Sequence, residues 1–228
     1  MYEFLLLDMD DTILDFKQAE YVALGKTLES FGLTPTEEVC ARYSRINQGY
    51  WEMLERKEVT REELKSARFR DLFLEYGITV DSHECAVRYM ENLAEGHDFM
   101  PGAKDALAAL AKNYKLYLVS NGTTHVQMRR IELADIAKYF QEIFISEQVG
   151  VDKPDKAFFD RCFAKIPGFQ KNKAMIVGDS LTSDILGGIN AGITTCWVNP
   201  NHKPARTDIP ADYQIESLTQ LETLLKTL

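Results

Sequence analysis

Near its start the chain sets an uninterrupted apolar run, Phe4-Leu5-Leu6-Leu7, directly against Asp8, Asp10 and Asp11. The run is short and does not alternate, which predicts a strand buried on both faces, as inside a parallel sheet. One such strand cannot stand alone, so the rest of the chain has to supply the sheet around it. A carboxylate at the end of a buried strand is costly unless a cation, a substrate or a hydrogen bond compensates it. Asp8 and Asp10 also repel each other, which splits their pKa values. One can then stay ionised as a nucleophile or metal ligand while the other carries a proton. The same letters also fit a plain strand end followed by an Asp-rich turn.

The chain changes character twice after this strand. From about Phe16 to His97 every pattern is helical and no convincing strand is visible. Phe69, Leu72, Phe73 and Tyr76 form one apolar stripe at i, i+3, i+4, i+7. Thr60 and Glu63 have capping-box spacing, and Gly32 and Gly77 stand where helices should stop. From Met100 onward helices alternate with strands at Lys115–Val119, Glu142–Ile145, Ala174–Val177 and Thr194–Val198. Helices are expected from Pro101-Gly102 to Lys112, and over Thr124–Leu133, Asp155–Lys165, Leu181–Asn190 and Ser217–Leu225. Asn199–Pro210, with its three prolines, reads as an irregular loop. Repeated βα units imply a parallel sheet with helices on both faces. The expected organisation is therefore a Rossmann-like α/β core of residues 1–15 and 98–228, with residues 16–97 inserted as an α-helical cap domain over the open end of the sheet.

The 228 residues carry 35 acidic and 26 basic side chains, a net charge of −9. That balance argues against wrapping a nucleic-acid polymer, which needs a basic surface, but leaves room for a small anionic substrate. No apolar run approaches a membrane span and the N-terminus has no basic-then-apolar leader, so a cytoplasmic protein without a membrane partner is expected. Cys40, Cys85, Cys162 and Cys196 show no CxxC spacing and are expected to be buried small hydrophobes. His83, His97, His125 and His202 have no zinc-ligand spacing and are expected at surface or packing positions.

Ligands of open parallel sheets bind beyond the carboxyl ends of the strands. Asp8, Asp10, Asp11 and Thr12 follow the first strand, and Ser120-Asn121-Gly122-Thr123 follow KLYLV. Val151-Asp152-Lys153-Pro154 lie in the longer loop after EIFI, and Gly178-Asp179-Ser180, with Asp184, follow AMIV. Each cluster has an ordinary alternative: Ser120 or Asp179 can cap a helix, Lys153 can be solvated, and Asp184 can sit on a helix surface. Together they bring carboxylates, a hydroxyl, backbone N–H groups and one cation to one mouth. Several carboxylates suit a hard cation with oxygen ligands, most simply Mg²⁺, with Mn²⁺ as the alternate. Such a cation would relieve carboxylate repulsion and neutralise an incoming phosphate. Lys153 can donate to phosphate oxygens and pair with a nucleophilic carboxylate, while Ser120 and the Asn121 N–H hold the other oxygens. An aspartate can attack phosphorus, and a second carboxyl, for which Asp10 is placed, can protonate the leaving alcohol and then deprotonate water.

With these residues in view, the chain resembles the haloacid dehalogenase-like hydrolase superfamily over essentially its whole length. Asp8-Met9-Asp10-Asp11-Thr12 is similar to the first motif of that family, Ser120 to the second, Lys153-Pro154 to the third, and Gly178-Asp179-Ser180-Leu181-Thr182-Ser183-Asp184 to the fourth. The resemblance implies that Asp8 is the nucleophile and Asp10 the general acid/base. It implies that Ser120 and Lys153 bind phosphate, and that Asp8, the Asp10 backbone carbonyl and Asp179 ligate Mg²⁺ with Asp184 in support. Asp11 departs from the pattern, since many members carry glycine there, and it is expected to face away from the metal.

Ser120-Asn121-Gly122, Ile145–Val151 and Asp184–Trp197 further resemble the pyrimidine 5′-nucleotidase branch. That resemblance implies a phosphomonoesterase acting on nucleoside 5′-monophosphates such as UMP, dUMP and dTMP. Asn47, Tyr50, Trp51 and Arg68 look like cap residues of that branch, with a base stacking on Trp51 or Tyr50 and Arg68 reaching a polar edge. Both aromatics equally fit a helical packing role. Two other readings stand beside this one: a sugar-phosphate or phosphoglycolate-type phosphatase with the same core motifs, and a non-catalytic phospho-acceptor or regulatory module. The intact acid at Asp10 disfavours a dehalogenase, and the long helical insertion disfavours the regulatory module.

Overall fold

Strand β1 (Phe4–Leu7) lies inside a six-stranded sheet, which is why it can be apolar at every position. The other strands are β2 (Lys115–Ser120), β3 (Phe140–Ile145), β4 (Ala174–Gly178), β5 (Thr194–Val198) and β6 (Tyr213–Ile215). In this computed structural model, which describes all residues from Met1 to Leu228, the spatial order is β3-β2-β1-β4-β5-β6. Every neighbouring pair is parallel. The period of two along β1 sends Leu5 and Leu7 into one core and Phe4 and Leu6 into another. The first core is closed by α5 (Ala103–Leu110), α6 (Thr124–Ala134) and α10 (Leu221–Thr227), through Leu107, Leu110, Ile131, Leu221 and Leu225. The second is closed by α8 (Lys156–Phe163) and α9 (Leu186–Ala191), through Phe158, Phe159, Cys162 and Ala191.

The chain divides into two compact units, one of Met1–Asp15 with His97–Leu228 and one of Phe16–Gly96. The second unit is all-helical: α1 (Phe16–Ser30), α2 (Glu37–Glu55), α3 (Arg61–Tyr76) and α4 (Ser82–Leu93). The Thr60/Glu63 capping box forms at the start of α3, and Gly77 ends that helix with φ 63°, a left-handed turn that glycine adopts without strain. Phe69, Leu72 and Phe73 of the expected stripe are buried. Tyr43, Phe69 and Tyr89 meet with ring centroids 4.9–5.4 Å apart, the distances of stabilising aromatic pairs.

Three local features differ from the sequence reading. The helix expected from Leu181 opens as a π-helical turn, Leu181–Ile185, before α9. A four-residue helix, α7 (Ser146–Val149), interrupts the loop after β3. Strand β6 is a short edge strand with no apolar run of its own, held through pairs such as Cys196 with Tyr213, and so it left no periodic signal. All four cysteines are free and buried. Burial pushes the thiols of Cys85, Cys162 and Cys196 up to about 12, so they pack as neutral groups. No helix is long and apolar enough to cross a membrane.

Candidate active site

Adjacent strands β2, β1 and β4 end within two residues of one another, since Leu7, the last residue of β1, pairs with Leu118 and Val177, and β2 runs on to Ser120 and β4 to Gly178. Ser120, Asp8 and Asp179 therefore leave the sheet at the same edge. The Asp8 N–H donates to the Val177 carbonyl at 2.9 Å, extending the ladder by one residue and fixing where the carboxylate begins. Lys153 lies at the centre of this edge and is 1% exposed. Its Nζ donates to Asp8 Oδ1 at 2.7 Å, to Asp184 Oδ1 at 2.6 Å and to the Val119 carbonyl at 2.9 Å. An ammonium has three protons, so this set satisfies it fully.

The backbone around this ammonium is held by a side chain whose role was not apparent from sequence. Asn121 donates through Nδ2 to the Lys153 carbonyl and accepts from the Lys153 N–H at Oδ1, both at 2.9 Å. This reciprocal pair locks the Lys153 peptide to the end of β2, next to the cis bond that joins Lys153 to Pro154. Asp184 is placed by the π-helical turn. Ser180 caps the turn by accepting from the Ser183 N–H at 3.2 Å, and the Ser180 N–H donates to Asp184 Oδ2 at 3.1 Å. Asp184 is fully buried rather than on a helix surface, and the helix cap is Ser180 rather than Asp179. Ser120 is the last residue of β2, while Thr123 holds the cap position of α6. The Asp179 carbonyl accepts from Trp197 Nε1 at 2.9 Å, which ties it to β5.

Gly178 leaves the space that Asp184 occupies. A Cβ there would lie 2.2 Å from Asp184 Oδ2, a separation no relaxed structure tolerates. Gly178→Ala is accordingly expected to displace Asp184 from Lys153. A thermal melt should show a lower Tm than the wild-type protein, of the size of a typical overpacking cost of about 1–3 kcal/mol. An unchanged Tm together with unchanged divalent-cation binding would contradict this placement.

The balance of charge in the pocket is negative. Burial pushes the Asp8 carboxyl well above the usual range and Asp184 adds to the push, against the pull of Lys153. Burial alone would discharge Lys153, but Asp184 and Asp8 outweigh it and hold the ammonium above the ordinary lysine range. One cation thus faces several carboxylates. Carboxylate oxygens of Asp8, Asp179 and Asp184 lie within 4.8 Å of one another. Closely spaced, oxygen-only donors that outnumber the one ammonium among them fit a hard divalent cation.

Asp10 is anchored from the other side by two residues that sequence reading missed. Arg130 Nη1 donates to Asp10 Oδ1 at 2.5 Å, and Gln127 Nε2 donates to Asp10 Oδ2 at 2.8 Å. Gln127 Nε2 also donates to Ser120 Oγ at 2.8 Å, and its Oε1 accepts from Arg130 Nη1 at 3.1 Å. A signal for them existed. The buried positions of α6 are Val126, Gln127, Arg130, Ile131 and Ala134. A glutamine and an arginine on an otherwise apolar stripe need buried polar partners. Asp11 has φ 54°, a conformation that favours glycine and that aspartate is among the few residues to adopt.

The residues expected to meet a base lie in the helical unit. Trp51 is half-buried, with the Arg61 guanidinium 5.6 Å from its ring. Tyr50 is half-buried too and its hydroxyl donates to Asp71 at 2.6 Å. Arg68 is 2% exposed. It donates to Asn47 Oδ1 at 2.6 Å, stands 4.9 Å from the Tyr89 ring, and through Asn47 is linked to buried Glu20. The four histidines are all exposed.

Residues 5–198 match the model of the haloacid dehalogenase-like hydrolase family. The chain belongs to this family. It is 41% identical to the Bacillus subtilis protein YfnB over 98% of its own length and 95% of that protein. A crystal structure of YfnB bound to magnesium superposes with a TM-score of 0.95 over 98% of both chains. The pyrimidine 5′-nucleotidase PynA of Streptococcus pneumoniae is 39% identical over 96% of this chain and 93% of that enzyme. The pyrimidine 5′-nucleotidase YjjG of Escherichia coli is 30% identical over 98% of both. A six-stranded parallel sheet with its helical insertion between β1 and β2 is the fold expected of such a hydrolase.

Proposed function

We propose that this hydrolase is a Mg²⁺-dependent phosphomonoesterase acting on nucleoside 5′-monophosphates, with pyrimidine nucleotides such as UMP, dUMP and dTMP as the preferred class. The observation that carries the reaction is the buried Lys153 between Asp8 and Asp184, with Asp179 beside them at one sheet edge. The substrate class rests on the 39% identity to a pyrimidine 5′-nucleotidase over 96% of the chain.

In this reading Asp8, Asp179 and the Asp10 backbone carbonyl hold Mg²⁺, supported by Asp184. When bound, the ion supplies positive charge that lowers the repulsion between an anionic nucleophile and an anionic phosphate. Lys153 engages Oδ1 of Asp8, which leaves the second carboxylate oxygen to form the bond to phosphorus. The Ser120 hydroxyl and the Asn121 N–H hold phosphate oxygens and orient the ester, and Lys153 joins them by exchanging one of its three present acceptors for a phosphate oxygen. As the P–O bond to the nucleoside breaks, Asp10 gives its proton to the leaving 5′ oxygen, and an aspartyl-phosphate stands on Asp8. Asp10 then takes a proton from water, which attacks phosphorus and regenerates the Asp8 carboxylate. Within the helical unit, half-buried Trp51 is the candidate stacking face for a base, whereas Arg68, expected from the sequence to reach a polar edge, is buried and committed to Asn47 and the Tyr89 ring.

Phosphate release is the test. Purified protein with Mg²⁺ is expected to hydrolyse UMP, dUMP and dTMP faster than purine nucleotides, phosphoglycolate or hexose phosphates, and EDTA should abolish turnover. Preference for a sugar phosphate or phosphoglycolate would overturn the substrate class while leaving the chemistry. A single stoichiometric phosphorylation without turnover would overturn the enzymatic reading and favour a phospho-acceptor module.

A further inference from the structure

We propose that Gln127 and Arg130 of α6 are positioning residues that aim the acid/base Asp10 and the phosphate-binding hydroxyl of Ser120 as one unit. The inference rests on the roles given above to Asp10 and Ser120. Its basis is a connected set of hydrogen bonds in the α/β unit. Arg130 is fully buried and Gln127 is 3% exposed, so both donors are shut off from bulk water, while the Asp10 side chain keeps 24% of its surface open. The network fixes the orientation of the Gln127 amide. Its oxygen must face the Arg130 guanidinium, so its two N–H groups face acceptors, one each at Asp10 Oδ2 and Ser120 Oγ. The opposite orientation would set a carbonyl against a carboxylate.

Two consequences follow for catalysis. Both Asp10 oxygens are gripped, one by Arg130 and one by Gln127, so the carboxyl has a single rotamer in which to meet a leaving group. Ser120 accepts from Gln127, so its own O–H proton stays available to donate to a phosphate oxygen. Gly122 belongs to the same device. A Cβ at Gly122 would stand 2.7 Å from Gln127 Cγ, so the glycine after Ser120-Asn121 leaves the room that Gln127 fills. The helix thus couples the strand end that binds phosphate to the strand end that moves the proton.

Leaving-group dependence separates this role from simple support of the fold. A nucleoside 5′ oxygen departs poorly without a proton, whereas p-nitrophenolate departs without one. The value of kcat/KM reports steps up to formation of the aspartyl-phosphate, so it reads the acid role alone. Arg130→Met, Gln127→Leu and Asp10→Asn are compared on UMP, or on whichever alkyl phosphate the protein turns over best, and on p-nitrophenyl phosphate. Folding of each variant is checked by thermal melting. Asp10→Asn is expected to lose at least about 100-fold more on the alkyl ester than on the aryl ester. Arg130→Met and Gln127→Leu should each show about a tenfold or greater loss in the same direction. Gln127→Leu should also raise KM for both substrates through Ser120. If burial makes Arg130→Met unfold, Gln127→Leu, which removes no charge, carries the same test. Folded variants that lose equally on both esters, or on neither, while Asp10→Asn discriminates, overturn the positioning role. Failure of Asp10→Asn itself to discriminate overturns the acid assignment on which the role depends.

Discussion

Asp8→Asn is expected to abolish phosphate release from every substrate, a loss on the order of 10⁴-fold or more, while leaving a folded protein. The amide can still accept from Lys153 through its oxygen, but it cannot form the aspartyl-phosphate. The variant also removes one of the carboxylates crowded around a single ammonium. Burial and Asp184 push the Asp8 carboxyl up, which means that its ionised form is a burden on the metal-free fold. A group of this kind weakens the fold as pH rises from its unfolded toward its folded pKa. In EDTA at neutral pH, Asp8→Asn should therefore melt no lower than the wild-type protein. Retained turnover would remove Asp8 as the nucleophile, and a marked fall in Tm would show that its ionised form supports the fold.

Lys153→Met is expected to be the most destabilising single change in the site. It leaves Asp8, Asp184 and the Val119 carbonyl without the group that all three share. Breaking a buried ion pair from one side costs about 3–5 kcal/mol, because the remaining charge has no water to turn to. That is a large part of the roughly 5–15 kcal/mol that holds a typical domain together. Urea unfolding in EDTA measures it directly. Adding Asp184→Asn to Lys153→Met should restore part of the loss, since one fewer buried carboxylate is then left unpaired. The two changes should be strongly non-additive, as groups in one network are. A cost below about 1 kcal/mol would be that of a solvated pair and would contradict the burial of Lys153.

Much of the architecture is legible in the amino-acid sequence. β1 was readable because a strand buried on both faces shows an unbroken apolar run. The helical insertion was readable from its 3.6-residue stripes and from the Thr60/Glu63 cap, which forms as expected. β6 was not readable, because three residues on a sheet edge carry no periodic pattern and exist by pairing with β5. The π-helical turn at Leu181–Ile185 was not readable either. It arises from the hydrogen bonds of Ser180 with Ser183 and Asp184, which depend on where Asp184 must lie.

The site divides in the same way. Residue type and position after a strand were enough to single out Asp8, Asp10, Ser120, Lys153, Asp179 and Asp184, because ionisable groups at the ends of buried strands are costly and therefore informative. What each of these groups touches was decided by tertiary structure alone. Lys153 bridges Asp8 and Asp184, 145 and 31 residues away in the chain. Asn121 spends its side chain on the Lys153 backbone, and Gln127 and Arg130 grip Asp10 from 117 and 120 residues away. Local patterning is written in the sequence because propensity and periodicity act over a few residues. Which buried donor meets which buried acceptor is settled only when the order of strands brings distant segments to one edge, where every polar group shut off from water has to find a partner.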